Sequence, residues 1–231
     1  MAIRKHPLVV GEYYHIYNRG NSKQKIFLDE NDYHHFVKCL FICNTTKNFK
    51  FRDDIVNSRV DAFDFERGER LVSISAWVLM PNHFHIYLTI NPQFPHMSDM
   101  WKKNNISEFM RKLLTAYTKY FNVKHERTGG LFEGPFKSVL VSEDVQAKYL
   151  FSYINLNSVK LIQKDWKEVG VKDKNKILKF LSSYKWSSYL DHLGIVRKEN
   201  RILDIVDFPT YFKNLDDFNE EIFDWINSPH V

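Results

Sequence analysis

The chain contains few of the residues that mark several classes of protein. Its 231 residues include two cysteines, eight glycines and seven prolines. Two cysteines are too few for a disulfide framework or a four-cysteine zinc site, which favours a reducing compartment. The low content of glycine and proline excludes collagen-like and low-complexity chains.

Long apolar runs are also missing. No stretch approaches the roughly 18 apolar residues that cross a bilayer, and the segment MAIRKHPLVV has no apolar run of signal-peptide length. We therefore expect a cytoplasmic protein with no membrane partner. Hydrophobic residues make up 44% of the chain and charged residues 26%, proportions that are ordinary for a globular fold and exclude bulk disorder.

Aromatic residues and positive charge are abundant. The aromatic content is 16% and the formal net charge is +5. Residues from 200 onward include two basic and seven acidic side chains, so the rest of the chain carries about +10. A basic, aromatic-rich body suits a nucleic-acid ligand, since cations neutralise phosphates and rings stack on bases. A lysine-rich solvated surface explains the charge equally well.

The spacing of apolar residues predicts an α+β fold with an antiparallel sheet. Strands are expected at residues 12–20, 71–80, 83–90 and 136–142, with one more short strand near 60–65. Helices are expected from a cap at Asp29 to about residue 46, from about 98 to 124, and from about 142 to 159. We expect one domain over residues 1–165 and a helical C-terminal extension over 166–231 that is acidic from about residue 200.

The sharpest local feature is the segment PNHFHIYL at residues 81–88. In a strand, His83 and His85 share one face while Phe84 and Ile86 share the other. Two imidazoles about 7 Å apart along a strand can converge on one divalent ion that still has open positions for substrate oxygens. Two unrelated histidines on a solvated strand face remain the alternative at this point.

The helix predicted over residues 142–159 carries a second pair of polar groups. Tyr153 and Asn157 are four residues apart and therefore lie on one face, one turn from each other. The amide oxygen of Asn157 is a reasonable hard ligand, and Tyr153 would present its phenol beside it. Because Leu150 and Ile154 form an apolar stripe with Tyr153, a tyrosine of the core is the more usual explanation.

Four segments, in this order, carry a resemblance to a known family: YHIYNRG at 14–20, AWVLMPNHFH at 76–85, GLFEGPFKS at 130–138 and YINLNSV at 153–159. With them the chain resembles the HUH single-tyrosine transposases, whose domain is the transposase IS200-like domain, and in particular their REP-associated tyrosine transposase branch. The resemblance covers about residues 11–160. The segment WSSY at 186–189 looks like the usual tail of this family and extends the resemblance to about 194.

The resemblance implies a ferredoxin-like α+β fold, with an antiparallel sheet and helices on one face. It implies that His83 and His85 hold a divalent metal ion, Mg²⁺ or Mn²⁺, that Asn157 lies where the family places a polar ligand, and that Tyr153 is the nucleophile. The implied activity is nicking and rejoining of single-stranded DNA near hairpins through a 5′-phosphotyrosine intermediate. The family commonly has Asn-Pro where this chain has Asn157-Ser158, which leaves the helix end less sharply set.

The implied partner is single-stranded or hairpin DNA, and the choice between monomer and homodimer stays open. Candidate contacts to the DNA backbone are the basic residues of the second long helix and of the strand after it: Lys102, Lys103, Arg111, Lys112, Lys119 and Lys137. For Lys137, a plain surface lysine is the more usual explanation. Two other functions remain open: a non-catalytic module that binds hairpin DNA or RNA, and a metal-dependent phosphohydrolase in which Tyr153 is structural.

Overall fold

The computed structural model describes residues 6–50, 54–55, 57–91, 105–212 and 215–227. Four strands and seven α-helices lie within these ranges. The strands are β1 (Tyr13–Arg19), β2 (Val72–Met80), β3 (His83–Ile90) and β4 (Lys137–Val141); the helices are α1 (Glu30–Ile42), α2 (Asn105–Lys124), α3 (Asp144–Leu156), α4 (Trp166–Val169), α5 (Lys174–Ser183), α6 (Tyr189–His192) and α7 (Leu215–Asn227). Within these ranges, no helix has both the length and the apolarity needed to cross a bilayer.

The four strands form one antiparallel sheet in the order β2-β3-β1-β4. The element order β1-α1-β2-β3-α2-β4 is that of the ferredoxin-like fold. The predicted α+β class and antiparallel sheet are confirmed. The turn at residues 81–82 joins β2 directly to β3, so the two histidines begin the strand that lies between β2 and β1.

One face of the sheet packs against the two crossover helices, as predicted. Phe84 and Ile86 of β3 lie in one core with Phe36 of α1 and with Phe109 and Tyr117 of α2. The helical spacing of the apolar residues on α2 directs them to the sheet and leaves its basic residues on the outer side.

The other face is also covered by a helix, and here the expectation of helices on one face only is corrected. Helix α3 packs on this second face, with Ile154 in a core that contains Ala76 and Val78 of β2 and Tyr87 of β3. The physical reason is that β2 is buried along its whole length and contributes apolar side chains to a core on each face. Such a strand requires a cover on each face.

The C-terminal extension runs along the free edge of β2. The amide of Leu79 donates to the carbonyl of Trp186 at 2.9 Å, and the amide of Ser188 donates to the carbonyl of Trp77 at 2.9 Å. These bonds satisfy backbone groups that an edge strand leaves unpaired. The boundary expected at residue 165 stays a prediction, but the extension shares the second core through Trp166 and other buried aromatic side chains.

Element boundaries differ from the prediction at several places. Helix α1 begins after Asp29, whose carboxylate accepts a hydrogen bond from the amide of Asp32 at 3.0 Å, but it ends at Ile42 rather than near 46. The strand expected near 60–65 is wrong, because Ala62–Asp64 is a 3₁₀ helix whose first turn is closed by the Asp61 side chain. Residues 98–104 of the second predicted helix lie outside the described residues.

A histidine remote from the metal-site candidates makes stability depend on pH. His192 of α6 packs against Phe151 with ring centroids 4.6 Å apart, and its Nε2 lies 3.0 Å from the carbonyl oxygen of Ser75. Burial lowers the pKa of His192 to about 4. As the pH falls, the imidazole is therefore protonated in the unfolded chain before it is protonated in the folded chain, which lowers the free energy of unfolding. The stability linked to neutral His192 is present in full above pH 6.5 and is lost as the pH falls through 4.

We expect the variant His192→Asn to lose part of this pH dependence. Between pH 6.5 and 4, its free energy of unfolding should fall less steeply than that of the parent protein, by up to about 1.4 kcal/mol per pH unit. Chemical denaturation at several pH values measures both slopes. Identical slopes in the two proteins would contradict the assignment of this proton to His192.

Candidate functional site

The two histidines of β3 point to the side of the sheet that α3 covers. The rings of His83 and His85 have centroids 5.1 Å apart and are nearly perpendicular, with an interplanar angle of 89°. His85 is only 7% exposed. The structure therefore does not place the pair on an open, solvated strand face.

A hydrogen bond fixes which ring nitrogen of His83 keeps a lone pair, and a second one constrains His85. His83 Nδ1 lies 2.7 Å from Asn82 Oδ1, which can only accept, so the proton is on Nδ1 and the lone pair on Nε2. His85 Nδ1 lies 2.8 Å from Nε2 of His15 on β1. When His85 donates in this pair, its own Nε2 also keeps a lone pair.

Both imidazoles are held in the neutral state at neutral pH. Burial lowers the pKa of His83 to about 4, and the nearby charge of Lys160 acts in the same direction. Burial, with His15 and His83 alongside, holds the pKa of His85 well below its ordinary value. Neutral imidazole is the form that binds a metal ion.

Tyr153 of α3 lies against His85 of this pair and against His15 of β1. Its ring centroid is 5.6 Å from that of His85 and 6.5 Å from that of His15. Burial raises the pKa of Tyr153, and the Asn157 amide acts in the opposite direction. The structure thus brings together a phenol and two imidazoles that are about 70 residues apart in the sequence.

A buried polar link fixes α3 to the sheet. Asn155, fully buried, accepts a hydrogen bond from the hydroxyl of Ser188 at 3.0 Å, and that hydroxyl oxygen accepts from the amide of Trp77 at 3.0 Å. Since Asn155 lies between Tyr153 and Asn157, this link sets the position of both relative to β2.

Asn157 is the most unusual side chain of the site. It follows α3 as its C-cap and is fully buried, and neither its amide oxygen nor its amide nitrogen has a hydrogen-bond partner in the described part of the chain. Hydrogen bonding to this amide acts to raise the pKa of His83 and to lower that of Tyr153, against the larger effect of burial on each, so the amide lies beside both groups without forming a hydrogen bond of regular geometry to either. A buried amide without partners costs free energy, which a ligand bound to it would offset.

His83, His85 and Asn157 are the candidate ligands for a metal ion at this site. Among the described residues, no three histidine, cysteine, aspartate or glutamate side chains could together hold an ion. A metal bound by His83 and His85 therefore needs an oxygen of another kind, and the amide oxygen of Asn157 is the candidate that the sequence analysis predicts. The donor set fits a divalent transition metal, because imidazole nitrogen suits such ions, whereas Mg²⁺ prefers oxygen ligands throughout.

Strand β1 contributes two side chains that the sequence analysis did not select. Tyr17 is the direct cross-strand partner of His85, with ring centroids 5.8 Å apart, and His15 stacks on His85 at 5.0 Å. The alternating pattern of residues 13–19 places both on one face. The pairing of β1 with β3 is set by the strand order of the sheet, and the alternation of residues along one strand does not predict that order.

We expect the contact between His15 and His85 to tune metal affinity. Changing His15→Phe removes the partner of His85 Nδ1 while keeping an aromatic ring, and Mn²⁺ affinity should fall about 10–100-fold. His15→Gln keeps an acceptor oxygen for His85, so its loss of Mn²⁺ affinity should be smaller. Calorimetric titration with Mn²⁺ checks both variants; equal losses would show that packing rather than the hydrogen bond matters.

The predicted DNA-binding residues divide between the two faces of the sheet. Lys137 of β4 is on the face of the site, and its Nζ lies 6.0 Å from the ring centroid of Tyr17. Arg111, Lys112 and Lys119 are on α2, which covers the opposite face. Lys102 and Lys103 lie outside the described residues.

The three basic residues of α2 line a single groove. Its volume is about 1200 Å³, and Phe49, Tyr120 and other basic side chains complete its wall. Two of the three have other partners: Arg111 forms an ion pair with Glu108 at 2.6 Å, and Nζ of Lys112 donates to the carbonyl of Thr45 at 2.7 Å. Their role in binding DNA stays a prediction.

Comparison with known protein families and with curated proteins finds no match. Among solved structures, the chain is similar to a REP-associated tyrosine transposase bound to a REP hairpin, with a TM-score of 0.46, 15% identity, and coverage of 86% of this chain and 90% of the other. It is also similar to a bacterial tRNA(His) guanylyltransferase-like protein in complex with ATP, with a TM-score of 0.40, 9% identity, and coverage of 79% and 72%. At these TM-scores neither likeness carries an argument about function.

Proposed function

We propose that the chain is a metal-dependent enzyme that cleaves and rejoins single-stranded DNA, with Tyr153 as the nucleophile. The observation that carries the proposal is the meeting of the Tyr153 phenol with two neutral imidazoles and an unpaired buried amide. The resemblance of the sequence motifs to the HUH single-tyrosine transposases supports the same assignment.

The metal site would be formed by His83, His85 and Asn157. A divalent ion bound there supplies charge stabilisation for the phosphoryl oxygens and favours the phenolate, which is scarce at neutral pH because an ordinary tyrosine has a pKa near 10. Of the two ions that the sequence leaves open, we propose Mn²⁺ as the one to test first, because Mg²⁺ is usually bound through oxygen ligands alone.

The proposed reaction is a single displacement at phosphorus. The residues of the chain position the nucleophile and neutralise charge during this step. The Tyr153 oxygen forms a bond to phosphorus, the bond from phosphorus to the 3′ oxygen breaks, and that oxygen leaves as a free 3′-hydroxyl after taking a proton from water. The phenol gives its proton to solvent. The 5′-phosphotyrosyl bond keeps the energy of the phosphodiester, so a second 3′-hydroxyl can reverse the step on another strand.

A single strand is the substrate that suits this position of the phenol. Tyr153 is half-buried between α3 and the sheet, with aromatic side chains of β1 beside it. A flexible single strand can bring one phosphate up to a half-buried phenol, and its bases can stack on exposed rings. A duplex holds its backbone at a fixed distance from its stacked bases and enters less easily.

One assay separates this function from its alternatives. The purified protein is incubated with labelled hairpin-containing single-stranded DNA and Mn²⁺, and the products are separated on a denaturing gel. A covalent protein–DNA band supports strand transfer. Cleavage without a covalent band indicates a phosphohydrolase that uses water.

A non-catalytic module that binds hairpin DNA or RNA is the second candidate. The groove on α2 favours it, because this basic surface lies on the opposite side of the sheet from Tyr153 and needs no chemistry at the site. A shift on a native gel without any cleavage in the assay above would support this module and exclude the enzyme.

A further inference from the structure

Two lysines that the sequence analysis did not select flank Tyr153. Nζ of Lys167 lies 3.8 Å from the centroid of the Tyr153 ring, and Nζ of Lys160 lies 5.8 Å from the same centroid. Lys160 belongs to the 3₁₀ helix Asn157–Leu161 that continues α3, whereas Lys167 comes from α4 in the C-terminal extension. Two separate elements therefore direct cations to the same phenol.

The position of Lys167 is fixed by its neighbours. The preceding residue, Trp166, is fully buried and packs against Trp225 with ring centroids 6.3 Å apart. Nζ of Lys167 also donates a hydrogen bond to the hydroxyl of Tyr149 at 3.3 Å, and the rings of Tyr149 and Tyr153 are stacked 6.4 Å apart. The ammonium thus lies between two tyrosines of α3.

In the described part of the chain, neither lysine forms an ion pair. Both are half-buried, and among the described residues Glu168 is the one carboxylate that acts on both, and it is exposed. Burial lowers the pKa of each ammonium, and repulsion from Lys167 lowers that of Lys160 further. Two half-buried like charges without a counter-ion destabilise the folded chain unless an anion joins them.

We propose that Lys160 and Lys167 bind the phosphate groups of the DNA strand on either side of Tyr153, so that the C-terminal extension completes the active site. This inference rests on the proposed function and adds the residues that hold the substrate backbone. An anionic phosphate between the two ammonium groups removes their mutual repulsion. The two ammonium groups also place positive charge beside the phosphoryl oxygens, on which negative charge develops when the phenol attacks.

The test measures binding apart from chemistry. In the Tyr153→Phe background and with EDTA present, binding of a 5′-labelled short oligothymidylate is followed by fluorescence anisotropy over a range of NaCl concentrations. Each of Lys160→Gln and Lys167→Gln should reduce the slope of log affinity against log salt by about 0.7, the value for one lost phosphate contact with a single strand. Lys167→Arg, which keeps the charge, should retain the slope.

Lys164→Gln is the matched control. Lys164 lies in the same stretch of chain and is exposed, so its removal changes the net charge equally. Slopes for the Lys160 and Lys167 variants that equal the slope of the Lys164 variant would overturn the inference. In the active protein, Lys167→Gln should also lower the rate of covalent adduct formation about 100-fold. Reduced slopes in a protein that forms no adduct would keep the phosphate site and exclude strand transfer.

Discussion

Replacing Tyr153 by phenylalanine is expected to abolish the covalent protein–DNA adduct. The variant keeps the ring that packs against His85 and Tyr149 but loses the only atom that can bond to phosphorus. The rate of adduct formation should fall about 10⁴-fold or more, as expected when a nucleophile is removed. The measurement is a denaturing gel of the reaction with labelled hairpin-containing single-stranded DNA and Mn²⁺.

Tyr149→Phe is the control for this change. Tyr149 is on the same helix, one turn before Tyr153, and is 44% exposed, so it has the freedom to reach a strand in solvent. Its variant loses the hydrogen bond from Lys167 and should form the adduct more slowly than the parent, but far faster than Tyr153→Phe. An adduct that persists in Tyr153→Phe and disappears in Tyr149→Phe would show that Tyr149 is the nucleophile.

Removing an imidazole of β3 is expected to remove the metal ion. His83→Ala and His85→Ala should each lower Mn²⁺ affinity by more than about 100-fold, because the loss of a ligand costs more than the 10–100-fold loss seen for outer partners. Both variants should also lose adduct formation. Calorimetric titration with Mn²⁺ measures the affinity without relying on activity.

His34→Ala is the matched control for the metal. His34 is an exposed histidine of α1, on the other side of the sheet, and its ring packs against Trp186. Its removal should leave Mn²⁺ affinity unchanged. If His83→Ala and His85→Ala bound Mn²⁺ as well as His34→Ala, the two imidazoles of β3 would not be ligands.

The strand that carries the histidines could be predicted because its pattern is local. The alternation of PNHFHIYL separates His83 and His85 from Phe84 and Ile86, and the structure gives this strand the predicted bounds. The same argument predicted Tyr153 and Asn157 on one face of a helix that runs to about residue 159; the structure ends α3 at Leu156, with Asn157 as its C-cap. Periodicity within one element therefore identified the pairs.

What lies around those pairs could not be predicted, because it depends on contacts between distant elements. The partner of His85, His15, is fixed by the pairing of β3 with β1. Lys160 and Lys167 lie in a 3₁₀ helix and a four-residue helix, which have no periodic signal. Helices on one face only were expected, but a β2 that is buried on both faces required a second layer that the strand count does not indicate.

The wrong strand near residues 60–65 has a local cause that the pattern hides. The apolar residues of this segment, Val60, Ala62 and Phe63, favour an extended strand. The Asp61 carboxylate instead accepts a hydrogen bond from the amide of Phe63 at 2.9 Å. This bond closes a tight turn and begins the 3₁₀ helix at Ala62. Aspartate competes with strand formation in this manner at the start of many turns.

The central claim is that two imidazoles of one strand and the phenol of a later helix surround a single cation. Diffraction from crystals grown with Mn²⁺, recorded at the manganese absorption edge, measures the position of that cation directly. We predict one anomalous peak within coordination distance of ring nitrogens of His83 and His85 and of the Asn157 amide oxygen, on the side of the sheet that Tyr153 covers. A peak at any other place, or no peak at saturating Mn²⁺, would contradict the claim.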